Sequence, residues 1–299
     1  MRRRWLAAIV LAGVGTASVA GCHGSSGRQD DVADGWSPAV ARPTAPFVPA
    51  AGTCHLAVED VGHASTYQPV DCAEVHLAET VDVLAFTGSD AALPAVPETD
   101  SPAGRAARTQ CETKVNEFLG GDWHAGRLAL TLVLPSGPAW AGGARWYRCD
   151  VSETDSLDNT KAVGRRGSLA GALRPGSPLA HTCFDPKMIK EELNYLEPVP
   201  CTSAHHAEFA GIYIAPDRSW EEFQRDGKGT HRACLGVIAG FAKVPDDGDL
   251  QYRAGSIYYP PSREEWLAGD RGVRCFLWVG DRTLKRSVRG AGAKGLPAA

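Results

Sequence analysis

The sequence has no basic surplus. Its 299 residues carry 31 Lys and Arg against 35 Asp and Glu, a formal net charge of −4. Binders of nucleic acid usually present a basic face, so this balance argues against a nucleic-acid partner. Catalytic signatures are missing too. There is no Gly-x-Ser-x-Gly, no His-Glu-x-x-His and no Gly-rich phosphate loop, and the nine His residues are scattered. Beyond the N-terminal segment, no stretch is long and apolar enough to span a bilayer. What is present looks ordinary for a globular chain: 43% hydrophobic and 22% charged residues, which excludes disorder throughout. The length suits two domains of about 100–150 residues each. Nine cysteines is an odd count that needs a reason.

The N-terminus supplies that reason. Arg2, Arg3 and Arg4 form a positive segment, and Trp5 to Val19 is apolar. Small residues follow and end at Cys22. The apolar stretch is too short for a spanning helix and reads as a secretory signal, residues 1–21. A cysteine directly after the small residues resembles the bacterial lipobox. That resemblance implies cleavage before Cys22 and its diacylation, palmitate included. Removing the three arginines shifts the net charge from −4 to −7. Residues 22–50 are rich in Gly, Ser, Pro, Ala and Asp, with no hydrophobic period, and read as a flexible tether. The expectation is a protein on the extracytoplasmic face of the cell membrane, held by burial of acyl CH₂ groups.

Eight cysteines remain, in a compartment where disulfides persist. They fall into two sets, Cys54, Cys72, Cys111 and Cys149, then Cys183, Cys201, Cys234 and Cys275. Matching members are offset by 129, 129, 123 and 126 positions. Flanking residues match as well. Pro69-Val70-Asp71-Cys72 parallels Pro198-Val199-Pro200-Cys201, and each continues to a His (His76, His205) and a Glu (Glu79, Glu208) at equal spacing. Residues 135–149 and 261–275 align without a gap, sharing Trp140 with Trp266 and Arg145 with Arg271. A duplication of a domain-sized unit follows. The expected layout is repeat one at 51–152, a polar linker at 153–178, repeat two at 179–290 and a frayed tail at 291–299.

Each repeat reads as β-β-α-β-β. Strands are expected at 79–86 and 206–215, at 127–134 and 251–259, and at the fourth cysteine of each set. Ser101-Pro102 opens a helix to Leu119 that carries Cys111. Its counterpart runs over 219–241 with Cys234 on it and a weak spot at Gly227 and Gly229. Ser262 with Glu265 fits a capping box. The fold class is therefore α+β: two tandem homologous domains, each a small antiparallel sheet with one main helix, stapled by disulfides. Identical pairing in each repeat leaves three connectivities. The constant first gap of 18 points to Cys54–Cys72 and Cys183–Cys201, with Cys111–Cys149 and Cys234–Cys275 completing the set.

This pattern of V-x-C-x-x-x-H-x-x-E, a cysteine on a helix, and P-S-x-x-x-W-x-x-G-x-R-x-x-x-C resembles the septum formation family of actinobacterial envelope proteins. The resemblance covers both repeats. The first copy departs at Gly137 and Pro138, where the second has Arg263 and Glu264. What the resemblance implies is a cell-envelope location and a link to cell division; it implies no reaction.

The candidate binding residues are His76, Glu79, His205, Glu208, Trp140, Trp266, Arg145 and Arg271. Cysteine, histidine and glutamate together could ligate zinc. If the cysteine is in a disulfide, however, His instead satisfies backbone groups and Glu pairs with an arginine. The tryptophans could stack on a glycan, or fill the core beside the bridge. The arginines could grip a carboxylate or phosphate, or pair with Glu79 and Glu208. No metal ligand set, cofactor or catalytic residue is assigned. Two readings result. One is a non-enzymatic lipoprotein that binds an envelope protein or a cell-wall component. The other is an extracytoplasmic metal-binding protein or hydrolase using the His/Glu pairs.

Overall fold

The computed structural model describes residues 45–298. The expected signal peptide, Cys22 and most of the tether lie outside the described residues. The first half runs β1 Thr53–His55, β2 Val61–Gly62, β3 Ala78–Ala85, α1 Gly88–Ala91, α2 Pro102–Leu119, β4 Leu128–Pro135, α3 Gly137–Ala141 and β5 Trp146–Glu153. The second runs β6 Cys183–Ile189, β7 Glu192–Val199, β8 Ala207–Ile214, α4 Trp220–Arg225, α5 Gly227–Ala242, α6 Leu250–Arg253, β9 Gly255–Tyr259, α7 Arg263–Leu267, β10 Gly272–Trp278 and α8 Gly292–Gly295. A 3-10 turn, Trp123–Ala125, precedes β4. The class is α+β, with two five-stranded sheets ordered β1-β3-β5-β4-β2 and β7-β6-β8-β10-β9.

Four strands of each sheet share one order, and the fifth lies on opposite edges. β2 adds in parallel beside the end of β4, whereas β7 folds back on β6 as a hairpin. Lys190 and Glu191 turn that hairpin with φ of 50° and 68°. Both sheets carry a bulge at the same place, beside Thr80/Asp82 in β3 and opposite Cys275/Phe276 in β10.

Each main helix covers one face of its sheet. Ser101 caps α2 by accepting from the Gly104 N–H, Pro102 occupies the first turn, and Gly120 ends it at φ 75°. Gly tolerates that left-handed position because it has no Cβ. Ala103, Ala107, Cys111, Val115 and Leu119 are buried, an i, i+4 stripe turned to the sheet. Thr230, Cys234, Ile238 and Ala242 form the same stripe on α5. The expected 219–241 helix is broken at Asp226, whose side chain leaves α4 and caps the Gly229 N–H of α5. The expected strand at 251–259 also needs correction. Its first residues are the α6 turn, because Leu250 and Ala254, four apart, both enter the core.

The disulfides are Cys54–Cys72, Cys111–Cys149, Cys183–Cys201 and Cys234–Cys275. In each half one bridge closes an 18-residue loop and the other ties the main helix to an inner strand, β5 or β10.

The expected linker, the end of the expected repeat two and the expected tail pack as parts of the two halves. His76 and Arg165 exchange backbone hydrogen bonds, and so do His205 and Leu284. Gly171 N–H donates to Phe118 O, and Gly290 N–H donates to Phe241 O. Leu169, Val288 and Leu296 are buried. Polar composition concealed this, because the anchors are single apolar residues in Gly-rich runs.

The described residues belong to one compact unit. Ala125 and Leu157 of the first half pack with Phe184, Phe209, Phe276 and Tyr259 of the second. Asp158 accepts from the Tyr259 hydroxyl at 2.7 Å and from the Leu196 N–H at 3.3 Å.

Candidate functional site

The Cys–His–Glu motif comes together in both halves. A sulfur, an imidazole nitrogen and a carboxylate oxygen of Cys54, His76 and Glu79 lie within 4.8 Å of one another, as do those of Cys183, His205 and Glu208. β1 pairs Cys54 with Glu79, and β6 pairs Cys183 with Glu208, which fixes that proximity. All six residues are buried. Their bonding capacity is largely consumed. Both sulfurs are in disulfides, so no thiolate is offered. Glu79 accepts from the Ser168 hydroxyl at 2.6 Å and from the Leu169 N–H at 2.7 Å. Glu208 accepts from the Ser287 hydroxyl at 2.6 Å and from the Val288 N–H at 2.9 Å. His76 Nδ1 bonds the Glu74 carbonyl at 2.9 Å, and His205 Nδ1 the Ser203 carbonyl at 2.8 Å. The copies differ in one bond. His205 Nε2 meets Glu208 at 3.2 Å, whereas His76 Nε2 is buried with no partner.

Each glutamate is thus a clasp that hooks the following segment onto its sheet. The expected pairing of Arg145 and Arg271 with these glutamates does not occur. Arg145 lies 4.1 Å from the ring centroid of Trp140 and donates to the carbonyls of Trp140 and Ala144 at 2.7 Å. Arg271 lies 4.2 Å from the Trp266 centroid and donates to the carbonyls of Trp266 and Asp270. Trp140 Nε1 donates to Leu93 O, and Trp266 Nε1 to Arg218 O, both at 2.9 Å. Both tryptophans are buried, so neither ring offers a stacking face. A cation–π contact over a fully bonded indole locks each Pro-Ser helix to its loop.

Sequence reasoning missed Ser168 and Ser287. The signal was available: Ser168-Leu169-Ala170-Gly171 parallels Ser287-Val288-Arg289-Gly290. It sat in the segment read as linker and in the last residues of repeat two. A second omission is the seam between the halves. Arg108 donates to Asp270 at 3.0 Å, His124 Nε2 meets Asp270 at 3.0 Å, and His124 Nδ1 meets Asp122 at 2.6 Å. Arg274 Nε donates to the His124 carbonyl at 3.0 Å. Arg105 and Arg271, one from each half, share Asp217. Burial disfavours charge on both His124 and Asp270, yet the bonds of His124 to Asp122 and Asp270, with Arg108 beside Asp270, outweigh it. The imidazole pKa is raised and the carboxylate pKa lowered.

A family model described as septum formation matches residues 51–275, most of the chain. The chain belongs to the septum formation family. The match runs through both sheets and the seam, so the family's unit contains both halves. Among curated proteins, an uncharacterized membrane protein of Mycobacterium tuberculosis strain H37Rv is 24% identical over 237 residues, 74% of this chain and 51% of its own length. Its counterpart in strain CDC 1551 / Oshkosh matches to the same extent. The chain therefore spans about half the length of these relatives. No solved structure matches. Among the described residues, no helix is long and apolar enough to cross a membrane.

Proposed function

We propose that the protein is a non-enzymatic cell-envelope lipoprotein whose two duplicated halves form one binding platform linked to cell division. The observation that carries this reading is the state of the motif residues. His76, Glu79, His205, Glu208, Trp140 and Trp266 are buried, Arg145 and Arg271 are partly covered, and each is engaged in holding the fold. A catalytic group needs free bonding capacity toward a substrate. The membership of the septum formation family supports the division theme, and the name of the mycobacterial relatives supports a membrane setting. The four disulfides suit an oxidising compartment. Attachment runs through Cys22, on the extracytoplasmic face, and the partner is an envelope protein or a cell-wall component.

The test replaces Cys22 and follows the protein through fractionation. Cys22→Ser moves it from the membrane to the soluble fraction and abolishes incorporation of labelled palmitate. Membrane retention without label uptake overturns lipid anchoring. A fluorescent fusion to the intact chain gathers at septa; uniform envelope signal overturns the division link.

A further inference from the structure

The two halves differ at one arginine, buried in the first and half-buried in the second. In the first, Arg148 is held by Asp150, with Nε at 2.9 Å and Nη2 at 2.8 Å, and Glu59 lies 3.7 Å away. Thr80 donates to the same Asp150 at 2.8 Å, and His55 bonds Thr80. At the matching positions of the second half, Phe184, Phe209 and Phe276 stand in place of His55, Thr80 and Asp150. These phenylalanines pack on one another. The arginine has stayed, as Arg274. It keeps one bond, to the His124 carbonyl, and lies 5.3 Å from the Trp123 ring. No carboxylate of the described residues lies within 4.0 Å of it.

Arg274 lines a cleft of about 500 Å³ between the halves, with Trp123, Leu157, Tyr259 and Pro260 among its walls. That volume is in the usual range of ligand sites. The acid that lines it, Glu265, turns one oxygen back to the Ser262 N–H. The opposite wall is Leu128, Ala129, Leu130 and Thr131, four consecutive residues of β4. Consecutive side chains of a strand point to opposite faces, so the cleft follows the strand's edge, over about 13 Å. That edge is open. β2 pairs only with Leu134 and Pro135, and among the described residues Ala129–Val133 make no backbone hydrogen bond outside the β4–β5 ladder.

We propose that this cleft binds an extended peptide as an added strand on β4, with a carboxylate of the peptide on Arg274. Main-chain hydrogen bonds along the edge give affinity, and the apolar walls take alternate side chains. The guanidinium has no carboxylate in contact, since Asp270, Glu265 and Asp122 act on it only at longer range, so its remaining N–H donors are open to an anion. The inference rests on the binding-platform reading and names the chemistry of its partner.

The probes are a labelled Val-Thr-Val-Ala peptide with a free terminal carboxylate, the same peptide amidated, and the free acid N-methylated at alternate residues. Binding to the full chain in detergent micelles is read by fluorescence anisotropy. The free acid binds, the amide binds about tenfold more weakly or worse, and N-methylation abolishes binding. Arg274→Gln removes the preference for the acid. Equal affinity of acid and amide for the unaltered protein, indifference to N-methylation, or no binding of any probe overturns the site. Because that comparison needs no variant, misfolding of Arg274→Gln does not affect it. Loss of this site leaves the fractionation and septal-localisation tests standing.

Discussion

His124 has a carboxylate oxygen at each ring nitrogen, Asp122 at 2.6 Å and Asp270 at 3.0 Å. Carboxylates only accept, so both bonds are made only by the doubly protonated ring. Arg108 pairs with Asp270 in the same cluster, and Arg274 bonds the His124 carbonyl while acting on Asp270 and Asp122 only from beyond contact distance. The raised pKa of His124 gives stability that is fully present below the unfolded value near 6.5 and is lost as pH rises through the folded value. His181 and His55 work in the opposite sense. Burial first, then nearby arginines, depress them to about 3 and about 4. Their contribution is present above about 6.5 and is lost as pH falls through the folded values. Denaturant midpoints across pH therefore peak near neutrality. In His181→Phe the acid limb is shallower, and in His124→Asn the alkaline limb is flat. An unchanged pH profile in both variants contradicts these assignments.

At the scale of elements, the bridges separate by loop length. Cys111–Cys149 and Cys234–Cys275 close 38 and 41 residues, against 18 for the other two. Restriction of the unfolded chain alone makes the longer bridges worth about 4 kcal/mol each and the shorter about 3. The longer pair also ties each main helix to a core strand. Paired Cys→Ala replacement of Cys111 and Cys149 thus lowers the denaturant midpoint more than replacement of Cys54 and Cys72; the reverse order contradicts the role given to the helix tie. These same elements were the most legible ones. Ser101-Pro102 marks the start of α2 and Gly120 its end, because capping is local chemistry. Strand β3 was readable from its alternation. The α6 turn was not, since Leu250 and Ala254 declare helical spacing over a single turn, too short for a period. Nor was the linker legible as structure. Leu169 packs into the first core, and Glu79, 90 positions earlier, accepts from its backbone N–H. The motif residues were found as a group from their spacing, but their role was not, because the hydroxyl and N–H partners of the glutamates are remote in sequence.

For the whole molecule, the seam decides whether two sheets behave as one body. Asp270 is buried and meets Arg108 and His124 from the other half. Removing one partner of a buried pair leaves an uncompensated charge and costs about 3–5 kcal/mol. Asp270→Ala therefore destabilises by that amount and splits a single unfolding transition into two, followed by calorimetry. One sharp transition at an unchanged midpoint contradicts a coupled pair. The second half extends past the family match at residue 275, because the segment after it closes that half as the 153–178 segment closes the first.

The most direct test of the central claim, that the Cys–His–Glu motif is a structural clasp and not a reaction centre, is amide hydrogen exchange on Glu79→Gln and Glu208→Gln. In each variant the amide carbonyl still accepts from the backbone N–H, but an NH2 group in place of the second oxygen exchanges two charge-assisted bonds for weaker neutral ones, so each hook is loosened. Exchange becomes faster only in residues 165–173 in the first variant and 284–296 in the second, with all four disulfides intact. Unchanged protection of both segments contradicts that claim, and so does stoichiometric zinc in the native protein that either substitution removes.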